Sequence, residues 1–322
     1  MRILLAAGIN TEKNNACLVN FYRSAIAFSK ISKDNIFVFA PNCKKKDFSN
    51  KKTITVKNGF FHKKLPNSVN FFLNITSLIW HVRKNKIDVA IVRFNLLSFF
   101  LILSLRLFTK CYVITEHHGW IEEEISAKQF RLYEKFFRAL QVFDAKYAHM
   151  VRVVVDGLKN KLIEYNITPD KIYVFPNGTD LDFFETYQNK LENNISKNTL
   201  HVGFLGNLVE WQGLETAIIA IKILKEKNEK VALSIFGEGP DKNNLEKLTT
   251  SLNLNDVITF HGEVAQQQVL EVLSTFDIAI APYTKTRNQN LGISPVKIRD
   301  YAAFGLPIIA SNVKGISGCD WL

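Results

Sequence analysis

A chain of 322 residues is long enough for two domains with separate cores. Its composition, 47% hydrophobic and 22% charged, excludes a disordered or fibrous protein. The net charge of +11 fits an anionic membrane face or a phosphorylated substrate, and a solvated basic surface without a partner accounts for it equally well. The lysines are dispersed, which argues against nucleic acid, because such a site clusters basic and aromatic side chains on one face.

In the first half, short apolar runs alternate with helical patterns. The predicted strands are 3–7, 36–40, 89–94, 112–115, 151–155 and 172–175. The predicted helices are 16–29, 69–82, one within 94–108, one through Leu132 and Phe136, and 158–165. Fully apolar strands that alternate with helices indicate a parallel sheet covered on both faces.

The polar stretch 186–198, rich in Asn and Lys, is predicted as a linker between an N-terminal domain, 1–185, and a C-terminal domain, 199–322. The alternation then restarts, with strands at 201–205, 231–236, 257–260, 278–281 and 307–310 and helices near 213–226, 240–252, 264–275 and 295–304. The predicted class is α/β, with two Rossmann-like, doubly wound sheets facing a cleft. Open sheets of this kind bind ligands at the carboxyl ends of their strands.

Cysteine usage and the apolar stretches bear on location. The cysteines are Cys17, Cys43, Cys111 and Cys319. They show neither disulfide nor metal-site spacing, which predicts a reducing cytoplasm. The first apolar run is too short for a signal peptide. The most hydrophobic stretch, 94–108, is shorter than a bilayer span and contains Arg106, so it predicts a buried helix, with a monotopic membrane contact as the alternative.

Two glycine-rich segments of the second half each follow a predicted strand and precede a helix. In the segment from Gly203 to Gly213, glycines would let the backbone approach a ligand, and the next helix would present N–H groups to a phosphate. The segment Phe236-Gly237-Glu238-Gly239-Pro240 places proline in a first helical turn. Alone, the first segment is equally typical of a tight turn, and the second indicates little more than a turn.

A third segment, from Arg287 to Pro307, is more informative. Ser294 is predicted as a helix N-cap, with Pro295 at the first helical position. Lys297 falls in the first turn, where the helix dipole disfavours a cation, and this placement indicates an anionic ligand. Asp300 follows on nearly the same helix face, so a surface Lys–Asp pair is the alternative.

In this order, the segments resemble the retaining glycosyltransferases of GT-B fold, family four, over nearly the whole chain. In the first half, Val174-Phe175-Pro176-Asn177-Gly178-Thr179-Asp180 resembles the family's Asn-Gly-Val-Asp turn. In the second, the Gly-x-x-Gly-Asn-Leu segment with Trp-Gln-Gly, then Gly-Glu-Gly-Pro, Phe-His-Gly, Ala-Pro and Ser-Pro-x-Lys-x-x-Asp-Tyr keep the family's order. The resemblance implies two domains that close over a UDP- or GDP-sugar, with neither a metal nor another cofactor.

The resemblance places the donor on the second domain. The residues implied to bind it are Gly206, Asn207, Gln212, Gly213, Gly237, Arg287, Ser294, Lys297 and Asp300. Asn207 and Gln212 stand where many members carry basic residues. The diphosphate charge therefore falls to Lys297 and Arg287, helped by the helix end near Ser294. Lys297 is the implied catalytic cation.

The resemblance also implies contributions from the first domain. In Glu116-His117-His118-Gly119, which follows a predicted strand, His117 is expected to contact the donor sugar as a catalytic residue, and His118 competes for this role. A metal site built on the paired histidines is disfavoured, because no third ligand lies at useful spacing. Gly8, in the first strand-to-helix loop, is expected to face the acceptor.

The acidic residues decide the expected mechanism. Asp300, where glutamate is usual, is expected to bind the ribose hydroxyls, and the first acid of the family's pair falls on Gly292. Double displacement needs two carboxylates about 5 Å apart, and the sequence offers no convincing pair. The expected route is a same-face substitution, in which the leaving diphosphate helps to deprotonate the acceptor.

The expected function is transfer of a sugar to a glycan or lipid-linked acceptor, in cell-surface polysaccharide synthesis at the cytoplasmic membrane face. Relatives usually continue beyond the strand at 307–310, so the second domain is expected to be incomplete. A truncated or degenerate member that binds a nucleotide or a partner without catalysis is therefore the alternative. A dinucleotide-dependent dehydrogenase is disfavoured, because Gly-x-Gly-x-x-Gly is absent after the first strand.

Overall fold

A computed structural model describes residues 1–8, 16–32, 35–41, 43, 53–57, 59–121, 133–188, 198–285 and 290–316. The chain divides into two compact units; apart from residues 14–16, which are assigned to the second, the first runs to Pro176 and the second from Asn177. The predicted domain limits at 185 and 199 stay a prediction, and most of the predicted linker lies outside the described residues.

A seven-stranded parallel sheet forms the centre of the first unit, in the order β3-β2-β1-β4-β5-β6-β7. The strands are β1 (Ile3–Ala6), β2 (Ile36–Phe39), β3 (Ile54–Val56), β4 (Val89–Arg93), β5 (Tyr112–His117), β6 (Met150–Val153) and β7 (Ile172–Val174). Because β1 pairs with both β2 and β4, the strand order reverses beside β1. The carboxyl ends of β1 and β4 therefore flank the switch point at which such sheets bind ligands.

Helices cover both faces of this sheet. They are α1 (Ala16–Ile31), α2 (Asn67–Leu73), α3 (Ile75–Lys84), α4 (Ser98–Phe108), α5 (Glu134–Tyr147) and α6 (Asp156–Glu164). The predicted single helix over 69–82 is interrupted at Asn74. The Asn74 side chain both donates to the Phe60 carbonyl oxygen and accepts from the Phe60 N–H, each at 2.8 Å. The helical spacing of apolar residues continues through the break because α2 and α3 pack on the same core.

The second unit is built on a five-stranded parallel sheet in the order β10-β9-β8-β11-β12. Its strands are β8 (Leu200–Leu205), β9 (Val231–Phe236), β10 (Ile258–Gly262), β11 (Ile278–Ala281) and β12 (Ile308–Ala310). Its helices are α7 (Leu181–Gln188), α8 (Leu214–Glu226), α9 (Lys242–Ser251), α10 (Val269–Leu273) and α11 (Val296–Phe304). The predicted α/β class, with a parallel sheet in each half, is confirmed.

The sequence predicts neither β3 nor α7. In β3, which has three residues, only Ile54 is buried, so no periodic pattern can form. In α7, Phe184 is 1% exposed and shares a core cluster with Tyr301 and Phe304 of α11. The helix has only eight residues and, among its described side chains, a single fully buried one, which is too short a pattern to predict the element.

The stretch 94–108 differs from its prediction in two ways. Helix α4 begins at Ser98, and residues 94–97 form the loop after β4. Leu101 is fully buried, whereas Leu107 and Phe108 are 67% and 57% exposed. The prediction of a buried helix is right only for its inner face. In the described part of the chain, no helix is both long and apolar enough to cross a membrane.

Candidate functional site

Three loops pack closely at the carboxyl ends of β8, β9 and β11. A Cβ atom on Gly237, after β9, would lie 1.9 Å from the carbonyl oxygen of Gly206, after β8. A Cβ atom on Gly213 would lie 2.0 Å from the carbonyl oxygen of Pro282, after β11. Both glycines have positive φ, +133° for Gly237 and +72° for Gly213. Packing between neighbouring loops therefore requires these glycines, in addition to any approach to a ligand.

Lys297 extends from the first turn of α11 to the loop after β8. Its Nζ donates a hydrogen bond to Gln212 Oε1 at 2.8 Å and lies 3.6 Å from the centroid of the Phe204 ring. A Cβ atom on Gly206 would lie only 2.6 Å from this Nζ. The fold therefore brings together Gly206, Gln212 and Lys297, which the sequence singles out in two separate segments.

The surroundings of Lys297 are unusual for a cation. Burial lowers its pKa well below the ordinary value, and no carboxylate among the described residues offsets this effect. The rings of Phe204 and Tyr283 supply weak cation–π attraction, with the Tyr283 centroid 5.7 Å from Nζ. A buried ammonium without a counter-charge is costly, and binding of an anion would remove much of that cost. The arrangement is suited to an anionic ligand beside Gly206.

Ser294 has a role other than the predicted N-cap. Helix α11 begins at Val296, Pro295 occupies the cap position, and no side chain caps the helix. Ser294 Oγ instead accepts from the Asn177 N–H at 2.8 Å, and Asn177 Nδ2 donates to the Ser294 carbonyl oxygen at 3.1 Å. The N-cap prediction is wrong because Pro295 is itself extended, with φ −76° and ψ 119°. Ser294 ties the turn at 177–180 to the loop before α11.

Asp300 is joined to the same turn. Its Oδ1 accepts from Thr179 Oγ1 at 2.5 Å, whereas the Lys297 ammonium is directed to Gln212. At Gly292, where the family's first acid would fall, φ is +84° and an added Cβ would lie 3.1 Å from the Lys314 carbonyl oxygen. The backbone there disfavours a residue with a side chain.

Two other predicted donor residues contribute less to this picture. Asn207 is exposed in the loop after β8. Arg287 lies outside the described residues, so its predicted contact with the diphosphate stays a prediction. The expectation that the protein needs neither a metal nor another cofactor also stays a prediction. The described residues contain no group of three or more His, Cys, Asp or Glu side chains placed to hold a metal ion.

In the first unit, His117 at the end of β5 is fully enclosed. Its Nδ1 lies 3.1 Å from Gln141 Nε2, and its ring stacks on Phe94 with centroids 5.1 Å apart. Burial and the neighbouring His118 lower the pKa of His117 to about 3, so its imidazole is neutral near pH 7. The predicted contact of His117 with a donor sugar stays a prediction.

His118 lies in a largely buried cluster of charged residues. Its Nε2 is 2.7 Å from Arg93 Nη2, and Arg152 Nη1 donates to Glu116 Oε1 at 2.5 Å. Burial and the Arg93 charge lower the pKa of His118 to about 4, despite the opposing effect of Glu116. Burial alone would raise the pKa of Glu116, but the His118 hydrogen bond and the Arg152 and Arg93 charges hold it well below its usual range.

Gly8 lies at the switch point beside β1. An added Cβ would be 3.0 Å from Asn95 Nδ2, which belongs to the loop after β4. Within the described residues this buried amide nitrogen has no hydrogen-bond partner. The predicted acceptor-side role of Gly8 stays a prediction, and Asn95 is the nearest polar group that could serve a ligand there.

A buried polar network lies behind His117. Asp144 of α5 is fully buried and its Oδ2 accepts from Ser98 Oγ at 2.5 Å. Burial raises the pKa of Asp144 to about 8, against the smaller opposing effects of hydrogen bonds from Ser98 and Thr115. Near pH 7 the folded protein therefore holds this carboxyl protonated.

We expect this group to make stability fall as pH rises from about 4, its unfolded pKa, to about 8. In that window the unfolded chain releases the proton and the folded chain keeps it, so the free energy of unfolding falls by up to about 1.4 kcal/mol per pH unit. Urea unfolding of the wild type and of Asp144→Asn between these pH values measures the difference. Parallel pH profiles of the two proteins would contradict the assignment.

Two family models match the chain in succession. "Glycosyltransferase Family 4" matches residues 31–183, and "Glycosyl transferases group 1" matches residues 186–318. The chain belongs to the family-four glycosyltransferases of GT-B fold. The predicted resemblance to this family and the GT-B fold are therefore confirmed.

Relatives of this glycosyltransferase include polysaccharide enzymes. An uncharacterised glycosyltransferase of Methanocaldococcus jannaschii is 26% identical over 87% of this chain and 73% of its own length. The amylovoran biosynthesis glycosyltransferase AmsK of Erwinia amylovora is 27% identical over 49% of this chain and 38% of its own length. Among solved structures, Anabaena HepE in complex with UDP-glucose has a TM-score of 0.67 at 15% identity, covering 98% of this chain and 81% of that chain.

Sequence reasoning missed two charged residues of this glycosyltransferase. Arg93 and Arg152 flank Glu116 in register on β4, β5 and β6, at the carboxyl edge of the first sheet. A charged residue at or near the end of an apolar strand, in a sheet predicted to be covered on both faces, is the signal that could have found them. Nothing comparable in the sequence points to the partners of Lys297, because its hydrogen bond with Gln212 joins positions far apart in the chain.

Proposed function

We propose that this chain transfers a sugar from a UDP- or GDP-linked donor to a hydroxyl group of a glycan or lipid-linked acceptor, with retention, in cell-surface polysaccharide or glycolipid synthesis. The observation that carries the proposal is the buried amino group of Lys297, which lies beside Gly206 without a carboxylate partner among the described residues. The printed names of the relatives agree with it, since AmsK belongs to amylovoran biosynthesis and HepE is in complex with UDP-glucose.

In the proposed mechanism, the donor diphosphate binds at the first turn of α11. Lys297 and the free N–H groups of that turn neutralise the charge that develops as the bond between the sugar and the phosphate breaks. The electron pair stays on the leaving phosphate, and the acceptor oxygen attacks the same face of the sugar. The acceptor proton passes to the leaving phosphate, so the step requires no carboxylate nucleophile.

Asp300 is the proposed partner of the nucleotide ribose. Its Oδ1 accepts from Thr179, which fixes the orientation of the carboxylate, and a carboxylate has about four lone-pair sites with which to accept further hydrogen bonds, here from a ribose hydroxyl. The hydrogen bonds between Ser294 and Asn177 hold the adjoining loop in place. These contacts support positioning of the nucleotide, with the diphosphate at Lys297 and the ribose at Asp300.

A donor screen tests the proposal. The purified chain is incubated with UDP- and GDP-sugars and with glycan and lipid-linked acceptors, release of the nucleoside diphosphate is followed, and the anomeric configuration of the product is read by NMR. Transfer from one donor class with retention is the expected result. Tight binding of a nucleotide without release from any donor would contradict catalysis and leave a binding protein.

Nucleoside diphosphate binding is expected to take up a proton. Burial lowers the pKa of free Lys297, and a bound diphosphate would raise it, so the site gains a proton at any pH between the two values. Affinity should therefore fall as pH rises through this range. Calorimetric titrations at a series of pH values from about 7 upward, where the phosphates are already ionised, in two buffers of different ionisation enthalpy measure the uptake. Equal heats in both buffers at every pH would contradict it.

A further inference from the structure

The outer side of the first unit carries a group of aromatic side chains that contact one another. Helix α4 packs there against both α2 and α5. Phe72 of α2 and Phe100 of α4 have ring centroids 5.1 Å apart, and Phe99 lies 5.6 Å from Phe143 and 5.8 Å from Tyr147 of α5. Phe99 and Phe100 also contact each other, at 5.4 Å. These five side chains form the aromatic face.

The aromatic face is open to solvent. Phe72, Phe100, Phe143 and Tyr147 are each about two-fifths exposed, at 40%, 41%, 41% and 38%. Helical spacing extends the face along α4 to Leu107 and along α5 to Phe136, both more than half exposed. A group of exposed aromatic side chains that contact one another is unfavourable in water and is typical of a binding surface.

Basic side chains border the aromatic face. Arg106 lies on α4, and Lys135 and Lys146 lie on α5. Lys171 Nζ donates to the Lys146 carbonyl oxygen at 2.6 Å, next to Tyr147 in the chain. Burial, together with the charge of the nearby Arg106, lowers the pKa of Lys171. Arg106, Lys146 and Lys171 therefore lie near one another, whereas Lys135 lies at the start of α5.

Acidic side chains are scarce on the two helices that form most of the face. Helix α4 has none, and α5 has only Glu134 and the buried Asp144. An aromatic surface with a basic border is the pattern expected at an anionic lipid surface, where rings enter the interface and cations meet phosphate groups. Contact between two copies through this face would bring two basic borders together, which like-charge repulsion disfavours.

We propose that the aromatic face docks the protein on an anionic bilayer surface. The rings of Phe72, Phe100 and Phe143 enter the boundary between headgroups and acyl chains, and Arg106 and Lys146 contact lipid phosphates. Docking of this kind requires no membrane-spanning helix. It is also independent of the donor site, because no residue of the aromatic face belongs to the second unit.

Vesicle co-sedimentation of the full chain tests the proposal. Vesicles of phosphatidylcholine alone are compared with vesicles that contain about a quarter phosphatidylglycerol, at low and high salt. The wild type is expected to bind the anionic vesicles and to be released by salt. The double variant Phe100→Ser/Phe143→Ser should bind at least about tenfold more weakly. The double variant Arg106→Gln/Lys146→Gln should lose about 30-fold on anionic vesicles and little on neutral ones.

A matched control is the variant Tyr173→Ser/Phe175→Ser. It removes an exposed, stacked aromatic pair from β7 and the residue after it, elsewhere in the same unit, and should bind as the wild type does. Thermal unfolding checks that every variant is folded, and the charge variant still tests the proposal if the Phe variant is not. Absence of wild-type binding, or equal loss in the control, overturns the proposal. So does a dimer that the Phe100→Ser/Phe143→Ser variant abolishes, without any binding to vesicles.

Discussion

Replacing Lys297 with Met is expected to lower sugar transfer by about 100- to 1,000-fold, the effect of removing one preorganised charge from a developing anion. Met is one atom shorter than Lys, has no charge and places an apolar side chain against the Phe204 and Tyr283 rings that Nζ contacts in the wild type. Since burial already disfavours the ammonium, the variant should unfold at the same temperature as the wild type or higher. Steady-state kinetics and calorimetric unfolding measure the two effects.

Lys222→Met is the matched control for this prediction. Lys222 lies on α8 of the same unit and forms an exposed ion pair with Glu226 at 3.5 Å, so its loss removes the same charge from the surface. Exposed pairs of this kind contribute little to stability, and its activity should equal that of the wild type. A Lys297→Met enzyme that retained full activity would remove this residue from the mechanism. A strongly destabilised variant would show that Lys297 has a structural role.

Replacing Gly237 with Ala is expected to destabilise the second unit by roughly 2–4 kcal/mol. The new Cβ would lie 1.9 Å from the Gly206 carbonyl oxygen, a backbone atom that cannot move without shifting the loop after β8. The positive φ of +133° adds conformational strain. Because the same shift displaces Gly206 from Lys297, binding of a nucleotide should weaken together with stability.

Substitutions at two further glycines distinguish the effect of the steric clash from the effect of backbone strain. At Gly305, φ is +86° and nothing lies within 4 Å of an added Cβ, so Gly305→Ala should cost only about 1 kcal/mol. At Gly178 an added Cβ is also free, and no positive φ is required. Differential scanning calorimetry should rank Gly237→Ala as least stable, then Gly305→Ala, with Gly178→Ala near the wild type. Equal stability of the first two would show that loop packing does not require Gly237.

The architecture follows from the sequence because apolar strands and amphipathic helices alternate in both halves. Packing rules then leave few topologies for such a chain. Predictions fail where an element has no period of its own, as in three-residue β3, or where a tertiary contact creates it, as with Phe184 in α7. The break at Asn74 is also invisible to hydrophobic periodicity, since a side chain that bonds to a distant backbone causes it.

For the candidate site, the sequence predicts which residues belong to it better than it predicts which contacts they make. A lysine in the first turn of α11 stands out because it opposes the helix dipole, and the structure places it beside the loop after β8. Its amide partner Gln212 and the hydrogen bonds of Ser294 depend on long-range geometry that spacing does not reveal. The sequence indicates that the glycines let a ligand approach the backbone. In the structure these positions require glycine because the backbones of neighbouring loops pack closely.

The central claim is that the second unit binds a nucleoside diphosphate at Lys297. Calorimetric titration of the full chain with UDP, GDP and ADP, beside Lys297→Met and Lys222→Met, tests it most directly. The account predicts that the wild type and Lys222→Met bind one of the nucleotides with equal affinity, and that Lys297→Met, folded and at least as stable, loses most of that affinity. Absence of binding by the wild type, or unchanged binding by Lys297→Met, would contradict the account.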